Sequence, residues 1–277
     1  MTTMQMPSPT RAEDAIWKKG ILVQIKSKIW SMEAKLEARD IDKAPDEIPE
    51  FVSLGKKKLF SNVQKDRFTR LTSRGRSTAD RLGFDFPVTG SVFVPFKNFD
   101  ALKALLEAQQ AQFYAEVDLF IENYESNREA FLAEHEEHRT RLEEHYPVAE
   151  TIREKFAFTV MYFATSMGNS INGSSQSGDE IYMQFVLNAM NELREDAQKV
   201  AASIKASIAD GKFDGRTERK IFKLIERLGN MDLLEDSNLK DAAFRLAVAP
   251  TPANADALNE AAAVEVTSTR VRAVLLD

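Results

Sequence analysis

The sequence predicts an α+β fold that is predominantly helical, with a long antiparallel, coiled-coil-like helical hairpin and a small antiparallel sheet. Three observations predict it. Residues 98–146 run without Gly or Pro and place apolar side chains at three- and four-residue spacings. Residues 179–210 repeat that spacing. Three short stretches rich in β-branched and aromatic residues, 20–30, 84–96 and 156–165, supply strands.

Taken in order, residues 1–12 form a loose, polar tail with two prolines. It lacks the apolar core of a signal peptide, so a cytoplasmic location is expected. Residues 20–30 put Ile21, Val23, Ile25 and Ile29 on one face of a strand. Trp17, Ile21, Ile25, Ile29, Met32 and Leu36 also trace a helical stripe, so periodicity leaves both readings open. The β-branched density favours the strand. Residues 40–50 are an acidic connector with two prolines. Residues 61–81 read as a basic amphipathic helix with Val63, Arg67, Phe68, Leu71 and Leu82 along its apolar edge, closed by Gly83 in the C-terminal position that favours glycine. Residues 84–96 surround Thr89-Gly90 and carry Pro87 and Pro95, which predicts a short edge hairpin or an extended lid.

A continuous helix over 98–146 would be about 70 Å long. Leu106, Phe113, Val117, Phe120, Tyr124 and Phe131 form its seam, and Pro147 stops it. A helix of that length needs a partner. Tyr182, Val186, Ala189, Leu193, Val200, Ile204 and Ile208 offer one within the chain, opened by an S-x-x-E capping box at Ser177 and Glu180. The seam closes either within the chain or between two copies. Between the two helices lie the strand-like 156–165 and a Ser/Gly/Asn loop, 168–178. Helices follow at 216–228 and 237–249, and 250–277 reads as an Ala-rich, loosely attached extension. Residues 13–249 are read as one domain.

No Cys is present, which excludes disulfides, thiolate chemistry and Cys-ligated metals. The longest apolar run, 156–167, falls short of the roughly 20 residues of a membrane span. His135, His138 and His145 share a helical face. The first and last are about 15 Å apart along the axis, too far for one metal. Only His135 and His138 could chelate together, with Glu134, and HEEH lacks the i, i+4 spacing of the zinc motif. The loop GNSINGSSQSGDE lacks the GK[ST] ending of a phosphate loop. No serine stands in a nucleophile elbow. No catalytic residue, metal or cofactor is expected.

Charge is more informative. The net charge is −6, yet residues 56–81 hold nine Lys or Arg against two Asp, and residues 107–150 hold twelve acidic residues against three Arg. Such segregation fits electrostatic docking, a polyanion-binding face, or two segments that neighbour one another in one fold. Lys56, Lys57, Lys58, Arg67, Arg70, Arg74, Arg76 and Arg81 are the candidate binding residues. Arg67, Arg70, Arg74 and Arg81 fall on one helical face. They suit an acidic protein surface or phosphates, without a recognised DNA-binding module around them.

Ser53-Leu54-Gly55-Lys56-Lys57-Lys58-Leu59 sits in the register of an S-L-G-x-K-x-L signature. The basic helix, Leu82-Gly83, the extended segment to Pro95, the acidic helix, Tyr146-Pro147, Ile152-Arg153-Glu154-Lys155-Phe156 and FAFTVMYF continue the pattern. Over about residues 15–248 the chain resembles the bacterial and phage family catalogued as domain of unknown function three-one-five-zero. The resemblance implies a gene neighbourhood with a MoxR-type AAA+ ATPase and a von Willebrand A protein. It supplies no catalytic residue. The expected function is a non-enzymatic adaptor or scaffold working with such an ATPase. The alternatives are a nucleic-acid-binding accessory protein of a phage or mobile element, and a membrane-active helical protein that unmasks 84–96 or 156–167 without stable insertion.

Overall fold

The computed structural model describes residues 12–87, 90–164 and 178–276. The tail 1–11, the serine of the predicted capping box and most of the Ser/Gly loop lie outside the described residues. The elements run α1 (Ala12–Trp17), β1 (Gly20–Lys28), β2 (Glu33–Lys35), β3 (Lys56–Lys58), α2 (Asn62–Leu82), β4 (Phe84–Phe86), β5 (Ser91–Pro95) and α3 (Phe96–Glu122). Then come α4 (Tyr124–Glu134), α5 (Arg139–Glu143), α6 (Ala149–Ile152), β6 (Ala157–Phe163), α7 (Gly178–Ala209), α8 (Gly215–Met231), α9 (Ser237–Val248), α10 (Pro252–Ala263) and α11 (Ser268–Leu276). The chain is thus predominantly helical with a small sheet, as its patterning predicts. Residues 20–28 resolve as a strand.

The main sheet has the order β4-β5-β1-β6. β4 and β5 form the expected antiparallel hairpin, with Phe84 opposite Phe93. The hairpin lies at the sheet edge through β4, while β5 also pairs antiparallel with β1 in the register Gly20–Pro95 to Val23–Val92. Gly83 ends α2 for a different reason from the one predicted. Among the described glycines only Gly90 and Gly211 have positive φ. A Cβ at Gly83 would instead lie 2.5 Å from the Phe93 carbonyl oxygen. Glycine is needed there for close approach to β5.

The chain divides into two compact units, one from Met1–Gln24, Ala79–Leu102 and Tyr162–Asp277, the other from Ile25–Thr78 and Lys103–Met161. Each has its own core. In the first unit Tyr182, Val186, Ala189 and Leu193 of α7 pack with Ile16, Leu22, Phe86 and Phe93. Residues 250–277, read as an extension, contribute Ala255, Leu258, Ala262, Val266 and Val271 to this core. Arg194 of α7 pairs with Asp236, which caps α9, donates to the Ala261 carbonyl at 2.9 Å, and so ties three helices together.

In the second unit Phe68, Phe113, Val117, Phe120 and Tyr124 join Leu59, Phe60, Phe156 and Phe158. Phe60 lies within 5.7 Å, ring centre to ring centre, of Trp30, Phe120, Tyr124 and Tyr146. The Tyr124 hydroxyl donates to the Pro147 carbonyl at 2.7 Å, and burial pushes that phenol up to about 12.

Two expectations are corrected here. The single helix over 98–146 is three helices. It breaks at Asn123, whose side-chain amide donates to the Leu119 carbonyl at 2.8 Å, and again at His135, where a 3-10 turn follows. The breaks let Tyr124, Leu132 and Leu142 all reach one core. Nor does the seam of α3 close on α7. Its residues fill the second core and those of α7 the first. The partner of α3 is α2. Phe68 packs its ring on Phe113 and Phe120, Arg67 meets Glu116, and Gln109 donates to Thr78, so the two helices run antiparallel.

Candidate functional site

The eight basic residues singled out from sequence do not form one surface. Lys56, Lys57 and Lys58 are β3, paired antiparallel with β2. Because side chains alternate across a strand, Lys57 points opposite to its neighbours. Its ammonium donates to both carboxylate oxygens of Asp40 at 2.7 Å, and only 9% of its side chain is exposed. Burial raises the Asp40 carboxyl, but the Lys57 ammonium and the Glu37 amide outweigh it and hold the group below its ordinary range. Lys57 is therefore too buried to meet a protein surface. Lys56 meets Glu33 at 3.2 Å, and Lys65 meets the same carboxylate at 3.0 Å. These two cations hold Glu33 low. Lys58 is exposed and has no ion-pair partner among the described residues.

On α2 the packing face is set by Phe68, Gly75 and Thr78, all buried. Val63, read as part of the apolar edge, is exposed. Arg67, Arg70 and Arg74 line one flank of the packing face. Arg67 reaches Glu116 of α3 at 3.2 Å, so part of the charge segregation is two neighbouring segments neutralising one another. Arg70 donates only to the Asp66 carbonyl. Arg70 and Arg74 are exposed, without a carboxylate partner among the described residues. Arg76, turned roughly 160° from Arg74, and Arg81, on the part of α2 that belongs to the first unit, are likewise exposed and unpaired. The structure thus keeps Arg67, Arg70, Arg74 and Arg81 on one face of the unbroken helix α2 and leaves Arg76 and the three lysines of β3 off it.

The acidic 107–150 segment keeps a net negative charge, with part of it paired. Arg139 bonds Glu129, Glu136 and Glu143, Arg128 bonds Glu125, and Arg153 bonds Asp118. His135 packs on Phe131, ring centres 4.6 Å apart and planes tilted by 57°, and the His138 Nε2 lies 3.6 Å from Glu137. Among the described residues, no group of three His, Asp or Glu side chains is placed to hold a metal ion. No described helix is long and apolar enough to cross a membrane.

Two features escaped sequence reasoning, the β2–β3 pair and the Asp40–Lys57 ion pair. Strand alternation turns one lysine of the three inward, and three identical residues conceal which one.

Residues 18–237 match the family described as Protein of unknown function (DUF3150). The match covers most of the sequence, and the chain belongs to that family. No curated protein and no solved structure matches it.

Proposed function

We propose that this protein is a non-enzymatic adaptor or scaffold that docks on an acidic protein surface through the arginine flank of α2. One observation carries the reading. Arg70 and Arg74 are exposed and have no carboxylate partner among the described residues, on a helix whose other face is locked into a core by Phe68. A rigid helix presents cations at fixed spacing, and unpaired cations lose no internal partner on binding. The gene neighbourhood implied by the family resemblance makes a MoxR-type AAA+ ATPase, with its von Willebrand A protein, the favoured partner.

The test is purification of the tagged full-length chain from its native host after nuclease treatment. A MoxR-type ATPase is expected to co-purify, and the Arg70→Glu/Arg74→Glu variant is expected to lose it. Unchanged capture by the folded variant would remove α2 from the docking surface.

The same unpaired arginines also suit phosphates, which keeps a nucleic-acid-binding accessory role as the second reading. It predicts that affinity for duplex or single-stranded DNA falls linearly with the logarithm of salt, because counterions are released. Absent or salt-insensitive binding would exclude it.

A further inference from the structure

Apart from the arginine flank, the second unit contains a cleft of about 570 Å³. Small-molecule sites span roughly 300–1,000 Å³, so the size fits a ligand rather than a protein surface. Its lining carries three cations, Lys57, Lys58 and Arg141, and two histidines, His135 and His138, against a single lining carboxylate, Asp40. Two further acids bear on these groups, Asp42 at 2.6 Å from Arg141 and Glu137 beside His138.

Three observations give the cleft an anion-binding end. The Lys57 ammonium is buried and carries three donors. Two go to Asp40, and the third has no acceptor among the described residues. Lys58, next in the strand, has no counter-charge among the described residues. Ser61 and Asn62 bring in the amino end of α2, a helix with no acidic residue in its first turn, so its positive dipole end meets no carboxylate of that turn. These donors outnumber what the two oxygens of a carboxylate take up, and they match the three oxygens of a phosphomonoester. Beside His135, His138 and Arg141, the lining also has an apolar, partly flat part formed by Leu36, Leu142 and the Phe131 ring.

We propose that this cleft binds a small organic phosphate with a flat apolar body, its phosphoryl group on Lys57, Lys58 and the amino end of α2. The body lies against Phe131, Leu36 and Leu142. The site shares no residue with the arginine flank of α2, and the proposal stands whether or not that flank docks a protein.

Calorimetric titration of the full chain with phenyl phosphate and with the ribonucleoside 5′-monophosphates tests it. Phenol and inorganic phosphate serve as half-ligands. Binding of at least one organic phosphate is expected, with both half-ligands weaker. Lys58→Glu, an exposed change that spares the fold, is expected to weaken that binding by about tenfold or more, the effect of losing a charge-assisted hydrogen bond. Arg70→Glu/Arg74→Glu is expected to leave it unchanged, which separates this site from the docking flank. No heat with any organic phosphate at millimolar concentration would overturn the proposal, as would equal affinity in Lys58→Glu. Inorganic phosphate binding as tightly as the organic phosphates would overturn the ligand class.

Discussion

Lys57 and Lys58 are adjacent and chemically identical, yet the first is buried against Asp40 and the second stands in solvent. Strand alternation produces the difference, and a run of three lysines carries no mark of it. Asp40 makes the pairing testable through pH. Its folded carboxyl is held below the ordinary value of 3.8. A carboxyl whose folded pKa is lowered contributes stability that is complete above the unfolded value and is lost as pH falls through the folded one. Asp40→Asn leaves the Lys57 charge buried without its partner, which is strongly destabilising, by about 3–5 kcal/mol. That deficit is expected to be full near neutral pH and to narrow as pH drops below 3.8. Urea midpoints of wild type and variant across pH 3–7 check it. Two curves that stay parallel down to the acid end would show that Asp40 does not titrate in the folded state as the pair requires.

At the scale of elements, sequence periodicity located faces well and partners poorly. The seam residues Phe113, Val117, Phe120 and Tyr124 are all buried, as their spacing predicts. The same spacing cannot say which second helix receives them, since any apolar face of similar width suits. What selects α2 is local fit. Gly75 lets α2 come close enough that an added Cβ would lie 2.8 Å from the ring of Phe158 and 3.3 Å from Gln109 Oε1. Phe158 is fully buried and has no room to retreat. Gly75→Val is therefore expected to destabilise the protein by about 1–3 kcal/mol through overpacking, even though glycine is itself a poor residue inside a helix. Thermal or urea unfolding measures this, and a variant as stable as wild type would mean that the helix pair is looser than the contact implies. The break at Asn123 was illegible for a related reason. Asn is tolerated in helices, and only the tertiary pull of Tyr124, Leu132 and Leu142 toward one core turns its local hydrogen bond to Leu119 into a break.

At the scale of the whole molecule, the family match ends at residue 237, where α9 begins, but the core of the first unit continues to Val271. An Ala-rich tail after a Pro-Thr-Pro-like segment reads as dispensable because alanines add little to any hydrophobic pattern. Small side chains are what allow α10 to lie close against α7, with Ala255, Leu258 and Ala262 buried. A chain cut after Ala249 loses Leu258, Val266 and Val271 from the core. Each contributes about 1.5–3 kcal/mol on full burial, against a net stability of about 5–15 kcal/mol for a whole domain. It also loses the Ala261 carbonyl that accepts from Arg194, whose charge stays buried. The first unit is then expected to lose its native packing. The two tryptophans report the units separately, Trp17 packed on the first core and Trp30 on the second. In single-tryptophan variants, truncation is expected to shift Trp17 emission to the red and leave Trp30 emission in place, because the second core contains no residue beyond Val160. Native Trp17 emission in the truncated chain would show that the first core closes without α10 and α11, and that the matched region alone carries the fold.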